Sequence, residues 1–223
     1  MTSPLVRTTR LATAYRRYLA SADAPTFAAE VDEHYSRNTL ASALKRGDVE
    51  ARRAAALSLG MLGDHTSIED LGRSLSDPDR GVRLAADDSF RGLLVRNAAP
   101  VHHQQLLRIM HLNDGGEYAG ALALTMILVD QAPTFSEAHH QLAICWHGLE
   151  NFFQAEGAYR ACLWRCRFHY PAWQGLARCR VMLGDSEGAI RALTRAVAVC
   201  PDLEGARMQI RAIQRRLRRA GDS

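Results

Sequence analysis

Small and bulky apolar positions recur with a period of 34 through the second half of this 223-residue chain. Ala121, Ala155 and Ala189 stand one period apart, as do Thr125, Tyr159 and Leu193, and the turn positions Gly116, Glu150 and Gly184. Pro133, Arg167 and Pro201 mark the same point of each unit. Proline ends a helix there because it lacks an N–H and its ring clashes with the preceding turn. A fixed period of this length predicts stacked helical hairpins, each burying its apolar face on the next. Asp202 then caps a further predicted helix, Leu203 to about Arg219. Its positions Ala206, Ile210, Ile213 and Leu217 make one apolar stripe, and its other faces carry arginine.

A second self-similarity lies upstream. The stretch Asp48 to Leu59 aligns with Asp79 to Phe90, a period of 31. Each opens on an aspartate, has an arginine four positions on (Arg52, Arg83) and continues with small residues. An aspartate at a helix start caps free N–H groups, and the arginine one turn later can pair with it or with the adjacent repeat. Those roles are structural, not acid–base. Segments 5–20 and 25–36 also read as helical, the second started by Asp23 to Pro25, with Tyr15, Tyr18 and Leu19 as core contacts.

These patterns resemble two repeat families. The segment from about His102 to Pro201 is similar to tetratricopeptide repeats, in which small residues sit where two helices cross. Ala121, Ala155 and Ala189 meet that need, with Ala143 and Ala177 in the first helices and Tyr159 in the aromatic place. It departs from the family at Arg108, Thr125, Glu150 and Arg167. Residues 38 to 95 resemble HEAT repeats, in particular the short kind of bilin lyase-like proteins, through Asp48 with Arg52, Asp79 with Arg83, the Asp77-Pro78-Asp79 turn and Gly63-Asp64. The resemblances imply an all-α fold, an α-solenoid of helical hairpins. An N-terminal helical cap (1–37) precedes HEAT-like repeats (38–97), three tetratricopeptide repeats (101–203) and a basic capping helix (204–223). Only Arg96 to Pro100 separates the two repeat types, so one continuous curved solenoid is expected.

Charge changes this picture little. The net charge is +4, and residues 204–223 hold six arginines against Glu204 and Asp222, so the whole excess lies in that tail. The rest of the chain balances, which does not indicate an extended groove for a phosphate backbone. Lys45 is the only lysine, so arginine enrichment by itself carries little weight. The longest apolar run, Ala119 to Val129, is too short to span a bilayer, and no secretory signal is visible. Five cysteines in helical surroundings suit reduced thiols and a cytoplasmic setting.

Two clusters invite chemistry. Cys162, Cys166 and His169 would lie within about 60° of one another on a continuous helix, as a metal or redox pair requires. The repeat register gives a plainer reading: Cys162 aligns with Leu128 and Ala196, and Cys166 with Ala132 and Cys200, which are packing positions. No metal and no cofactor are expected. The second cluster is histidine-rich. The tetratricopeptide resemblance places the inner faces of the first helices on a concave groove: His103, Leu106, Met110 and Asn113; then Glu137, His140, Ile144 and His147; then Gln174, Arg178 and Val181. Spacings of 3, 4 and 3 keep each set on one side of its helix. The mixture of apolar and neutral-to-basic groups suits a peptide or helical segment, and His140 and His147 could make binding pH-sensitive. Leu106 and Met110 donate no hydrogen bonds, which argues against the carboxylate clamp of some tetratricopeptide domains.

Nucleophile-elbow, phosphate-loop and zinc-protease motifs are absent. The tight pair Asp87-Asp88 falls on an outer ridge, where solvation is the default. The sequence therefore predicts no enzyme but a protein–protein interaction scaffold or adaptor, with no membrane partner. Two other readings stay open: a lyase-like, enzyme-associated role implied by the HEAT-type half, and weak nucleic-acid binding through the arginine-rich C-terminal helix.

Overall fold

A computed structural model of the chain describes residues 10–97 and 99–221. The described residues form thirteen helices and no strand, and the chain divides into two compact units between Leu93 and Leu94. The fold class is an α-solenoid of helical hairpins, with consecutive helices packed on one another within each unit.

The first unit begins with α1 (Arg10–Ser21), α2 (Ala24–His34), α3 (Arg37–Arg46), α4 (Val49–Leu62) and α5 (Ser67–Ser74) and runs into α6 (Arg80–Arg96). Side-chain caps set the helix starts, at the aspartates the sequence predicts and at Ser36. Asp23 accepts from the Thr26 N–H (3.1 Å), Ser36 from Thr39 (3.2 Å), Asp48 from Ala51 (2.8 Å) and Asp79 from Val82 (2.9 Å). The repeated arginines reach past their own caps. Arg52 grips Asp77 with two hydrogen bonds, 2.9 and 3.0 Å, and donates to the Gly47 carbonyl. Arg53 does the same to Asp79, at 3.0 Å twice. Arg83 donates to the Asp77 and Pro78 carbonyls, so the turn between α5 and α6 is tied to α4 from one side and to α6 from the other. Helices α4 and α6 meet closely at Gly60, where a Cβ would run into Ser89. Of the expected N-terminal core contacts, Tyr18 stacks on Phe27 at 5.3 Å, Tyr15 is half-buried, and Leu19 faces solvent. The correction at Leu19 follows from helix phase: Leu11, Ala12 and Ala14 already fill the buried side of α1. Residues 5–9 of the first predicted helix lie outside the described residues. On α6, Asp87 is half-buried and Asp88 exposed.

The second unit repeats in register. Helices α8 (Tyr118–Gln131), α10 (Phe152–Arg165) and α12 (Ser186–Val199) start and end one period apart. So do the starts of α9 (Ser136–Gly148), α11 (Tyr170–Met182) and α13 (Glu204–Gly221), after α7 (Pro100–Asp114) opens the unit. Ala121, Ala155 and Ala189 are fully buried, because helices that cross this closely leave no room for a larger side chain. Thr125, Tyr159 and Leu193 are buried beside them. Tyr159 occupies the space a side chain at Gly175 would need, so the aromatic ring and the glycine across from it are a matched pair. The turns between paired helices require a left-handed residue, with φ of +77° at Gly116 and +82° at Gly184. Glu150 takes the same place at +58°, a conformation that costs an L-residue energy. Helix α13 buries Ala206 and Ile213 and half-buries Ile210, while Leu217 is exposed, so the predicted stripe is covered only in its first part.

Candidate functional site

Two features of the second unit have the geometry of a site. The first is a cleft of about 600 Å³ between the C-terminal ends of α9 and α11 and the middle of α13. Phe152, Val181, Met182, Ile213 and the flank of Tyr118 give it an apolar wall, and His147, Arg178, Gln209 and Arg216 supply polar groups. Glu150 stands at its rim. Burial, with Arg178 nearby, holds His147 below its ordinary pKa, so the imidazole is neutral at pH 7. Arg178 also sits beside the Tyr159 hydroxyl, which burial pushes up to about 12. The cleft thus joins apolar surface to two guanidinium groups against one carboxylate. That balance fits a segment with apolar side chains and an acidic group.

The sequence-selected groove residues divide into three sets, and His140 lies half-buried beside Glu137. His147, Arg178 and Val181 line the cleft. Met110, Ile144 and Gln174 are half-buried, and His103 lies 3.4 Å through Nδ1 from the Val95 carbonyl. Leu106, Asn113 and Glu137 face inward instead of onto an open groove: Leu106 packs with Ile109, Leu128 and Phe135, and the other two join a buried polar chain. Sequence reasoning missed the contribution of α13. Its signal was available, because adding 34 to Arg178 lands on Ala212, which lines the cleft.

The second feature is that polar chain. Cys145 donates through Sγ to Asn113 Oδ1 at 3.1 Å, and Asn113 Nδ2 donates to Gln141 Oε1 at 2.8 Å. Gln141 Nε2 donates to Glu137 Oε1 at 2.7 Å. Glu137 also meets His140 Nδ1 at 3.1 Å and His169 Nε2 at 3.0 Å, so its carboxylate sits between two imidazoles. The His140 and His169 rings are 4.4 Å apart between centroids. His169 caps α11, its Nδ1 accepting the Ala172 N–H at 3.2 Å, so the ring proton is on Nε2 and points at Glu137. Burial, then the neighbouring His140, holds His169 below its ordinary pKa. Burial opposes ionisation of Glu137, but His140 and His169 outweigh it and hold the carboxyl well below the usual carboxylate range. The centre of the chain is therefore a buried anion.

This arrangement replaces the Cys162–Cys166–His169 cluster weighed from the sequence. Helix α10 ends at Arg165, Cys166 is extended backbone (φ −138°), and His169 turns to Glu137, so the three do not share a helix face. Cys145, Cys162, Cys166 and Cys179 are buried thiols outside any disulfide, and Cys200 is half-buried. Burial pushes the Cys162 thiol well above its ordinary value and Cys179 up to about 11, the opposite of an activated nucleophile.

Residues 14–91 match the family model of HEAT repeats, a span that takes in most of α1 and all of α2 as well as the Asp–Arg repeats. A search of the curated proteins finds no match. HEAT repeats generally serve as protein-interaction scaffolds. Among the described residues no helix is long and apolar enough to cross a membrane.

Proposed function

We propose that this chain is a non-enzymatic adaptor of the cytoplasm that docks a segment of another protein in the cleft between α9, α11 and α13. On this reading the second unit is a tetratricopeptide-type array, supported by helices that restart once per period and by buried alanine at each crossing. The observation that carries the proposal is the cleft itself: an apolar wall with Arg178 and Arg216 beside it, and no salt bridge involving either arginine among the described residues. The raised Cys145, Cys162 and Cys179 thiols speak against a lyase-like cysteine, and Arg216 of α13 lines the cleft.

A photo-crosslinking amino acid at Val181 tests this, with the same group at solvent-facing Glu187 as control. Capture of one partner from Val181 and none from Glu187 supports the cleft. Helix α10 also exposes Phe153 and Trp164, one stripe at i and i+11. Crosslinks from Trp164 with none from Val181 would move the interaction to that stripe and overturn the proposal.

A further inference from the structure

We propose that Glu137, His140 and His169 form a divalent metal site of the zinc type that pins α9 to the start of α11. One donor atom from each residue lies within 4.8 Å of the other two. Side-chain exposure is 7% at Glu137, 13% at His140 and 1% at His169, so the donors are held by packing and not by solvent-facing rotamers. Two imidazoles and a carboxylate are a donor set that zinc-type ions take, with bonds of about 2.0–2.2 Å, which puts neighbouring donors roughly 3.3 Å apart in a tetrahedron. The carboxylate-to-imidazole distances, 3.0 Å from Oε2 to His169 and 3.1 Å from Oε1 to His140, are already close to that, with one oxygen facing each ring. Three protein donors leave one position for water.

Electrostatics makes the same demand. A buried carboxylate is retained when it is paired or binds a metal. The partners of Glu137 are His140, His169 and Gln141, with no arginine or lysine among them. The carboxylate is thus buried among two imidazoles and an amide, surroundings that suit a cation site. The outer surroundings fit as well: Gln141 holds one carboxylate oxygen and is itself held by Asn113, the kind of support that orients metal-binding carboxylates.

Binding changes one proton position. His169 must offer its Nε2 lone pair, so its proton moves to Nδ1 and the ring stays neutral. Nδ1–H then faces the Ala172 N–H donor to donor, so the ring or the start of α11 must shift to part them, while that N–H keeps its second bond, to the His169 carbonyl at 3.0 Å. The lost cap and the parted donors are a cost that structural zinc binding in small domains exceeds.

The test uses the reduced, metal-stripped full chain and zinc alone, measured by calorimetry and by competition with a chromophoric chelator. One zinc per chain is expected, with a rise in thermal midpoint on addition. Cobalt(II) should give a spectrum without a thiolate charge-transfer band, which separates this site from the cysteines. Affinity should fall at least tenfold in His140→Ala, at a half-buried position, and in the isosteric Glu137→Gln, each checked for native circular dichroism. No stoichiometric uptake by the wild-type chain would overturn the proposal. Uptake unchanged in both variants, or a thiolate band with cobalt, would do the same. The docking proposal stands or falls separately, because Val181 and Ile213 are not among the donors.

Discussion

Asp77→Ala should destabilise the first unit by about 2–3 kcal/mol, far more than an ordinary surface charge. Asp77 takes two bonds from Arg52, at 2.9 and 3.0 Å, and a third from the Asp79 N–H at 2.8 Å. The pair is largely enclosed, at 10% side-chain exposure for Asp77 and 17% for Arg52. Exposed pairs contribute about 0–1 kcal/mol, whereas stranding one member of a buried pair costs about 3–5 kcal/mol. The observed exposure puts this one towards the upper class, lowered because Arg52 keeps the Gly47 carbonyl at 3.0 Å. Arg52→Met, which keeps the apolar stem, should cost about 1–2 kcal/mol, and the double variant should show a coupling of about 1–2 kcal/mol. Urea unfolding of the full chain is the assay, followed by far-ultraviolet circular dichroism, since the three tryptophans all lie in the second unit. A single-variant loss below about 0.5 kcal/mol, or coupling near zero, would refute the view that cross-repeat arginines hold this unit.

Glu150→Gly should stabilise the chain by about 0.5–1 kcal/mol, because φ of +58° strains glutamate and suits glycine; a loss in chemical unfolding would contradict this. Gly175→Ala should destabilise by about 1–3 kcal/mol, since the added methyl meets the buried Tyr159 ring, and Tyr159→Leu in the same background should recover part of that loss. Alkaline stability has a defined window. Cys179 is raised to about 11 from an ordinary 9.0 and Tyr159 to about 12 from 10.0. Groups raised on folding contribute stability that is intact below their unfolded values and is lost as pH climbs through the folded ones if the buried neutral form is the one retained. The neutral thiol and phenol are retained here, so ionisation favours the unfolded chain and the unfolding midpoint should fall between pH 9 and 12. A Tyr159→Phe variant should show a shallower fall above pH 10, and an unchanged profile would refute the burial argument.

The helix framework was legible in the sequence because its causes are local or periodic. Capping aspartates, small crossing residues and turn glycines act within one turn or one period, and Asp48, Ala155 and Gly184 all sit where that logic puts them. The pairing of Arg52 with the neighbouring repeat was one of two roles the pattern allowed, and only three-dimensional contact separates them. Side-chain direction was less legible. Glu137 and Asn113 lie on the face assigned to the groove, yet they turn inward because Gln141, His169 and Cys145 offer partners that come from neighbouring positions and helices. His169 carried a signal: the repeat register aligns it with Phe135 and Leu203, so an imidazole in an apolar position points to a polar partner. The role of α13 in the cleft was obscured by reading it as a solvated cap, although its start at Glu204 continues the series Ser136 and Tyr170.

The docking claim is tested most directly by the affinity of the segment captured at Val181, measured by fluorescence anisotropy against wild-type chain, Val181→Glu and Arg216→Glu. Val181 is 38% exposed at the cleft edge and Arg216 is exposed, so both variants leave the core intact. Each should weaken binding at least tenfold, about 1.4 kcal/mol, while Glu187→Arg on the outer face leaves it unchanged. Wild-type affinity in both cleft variants would contradict the account.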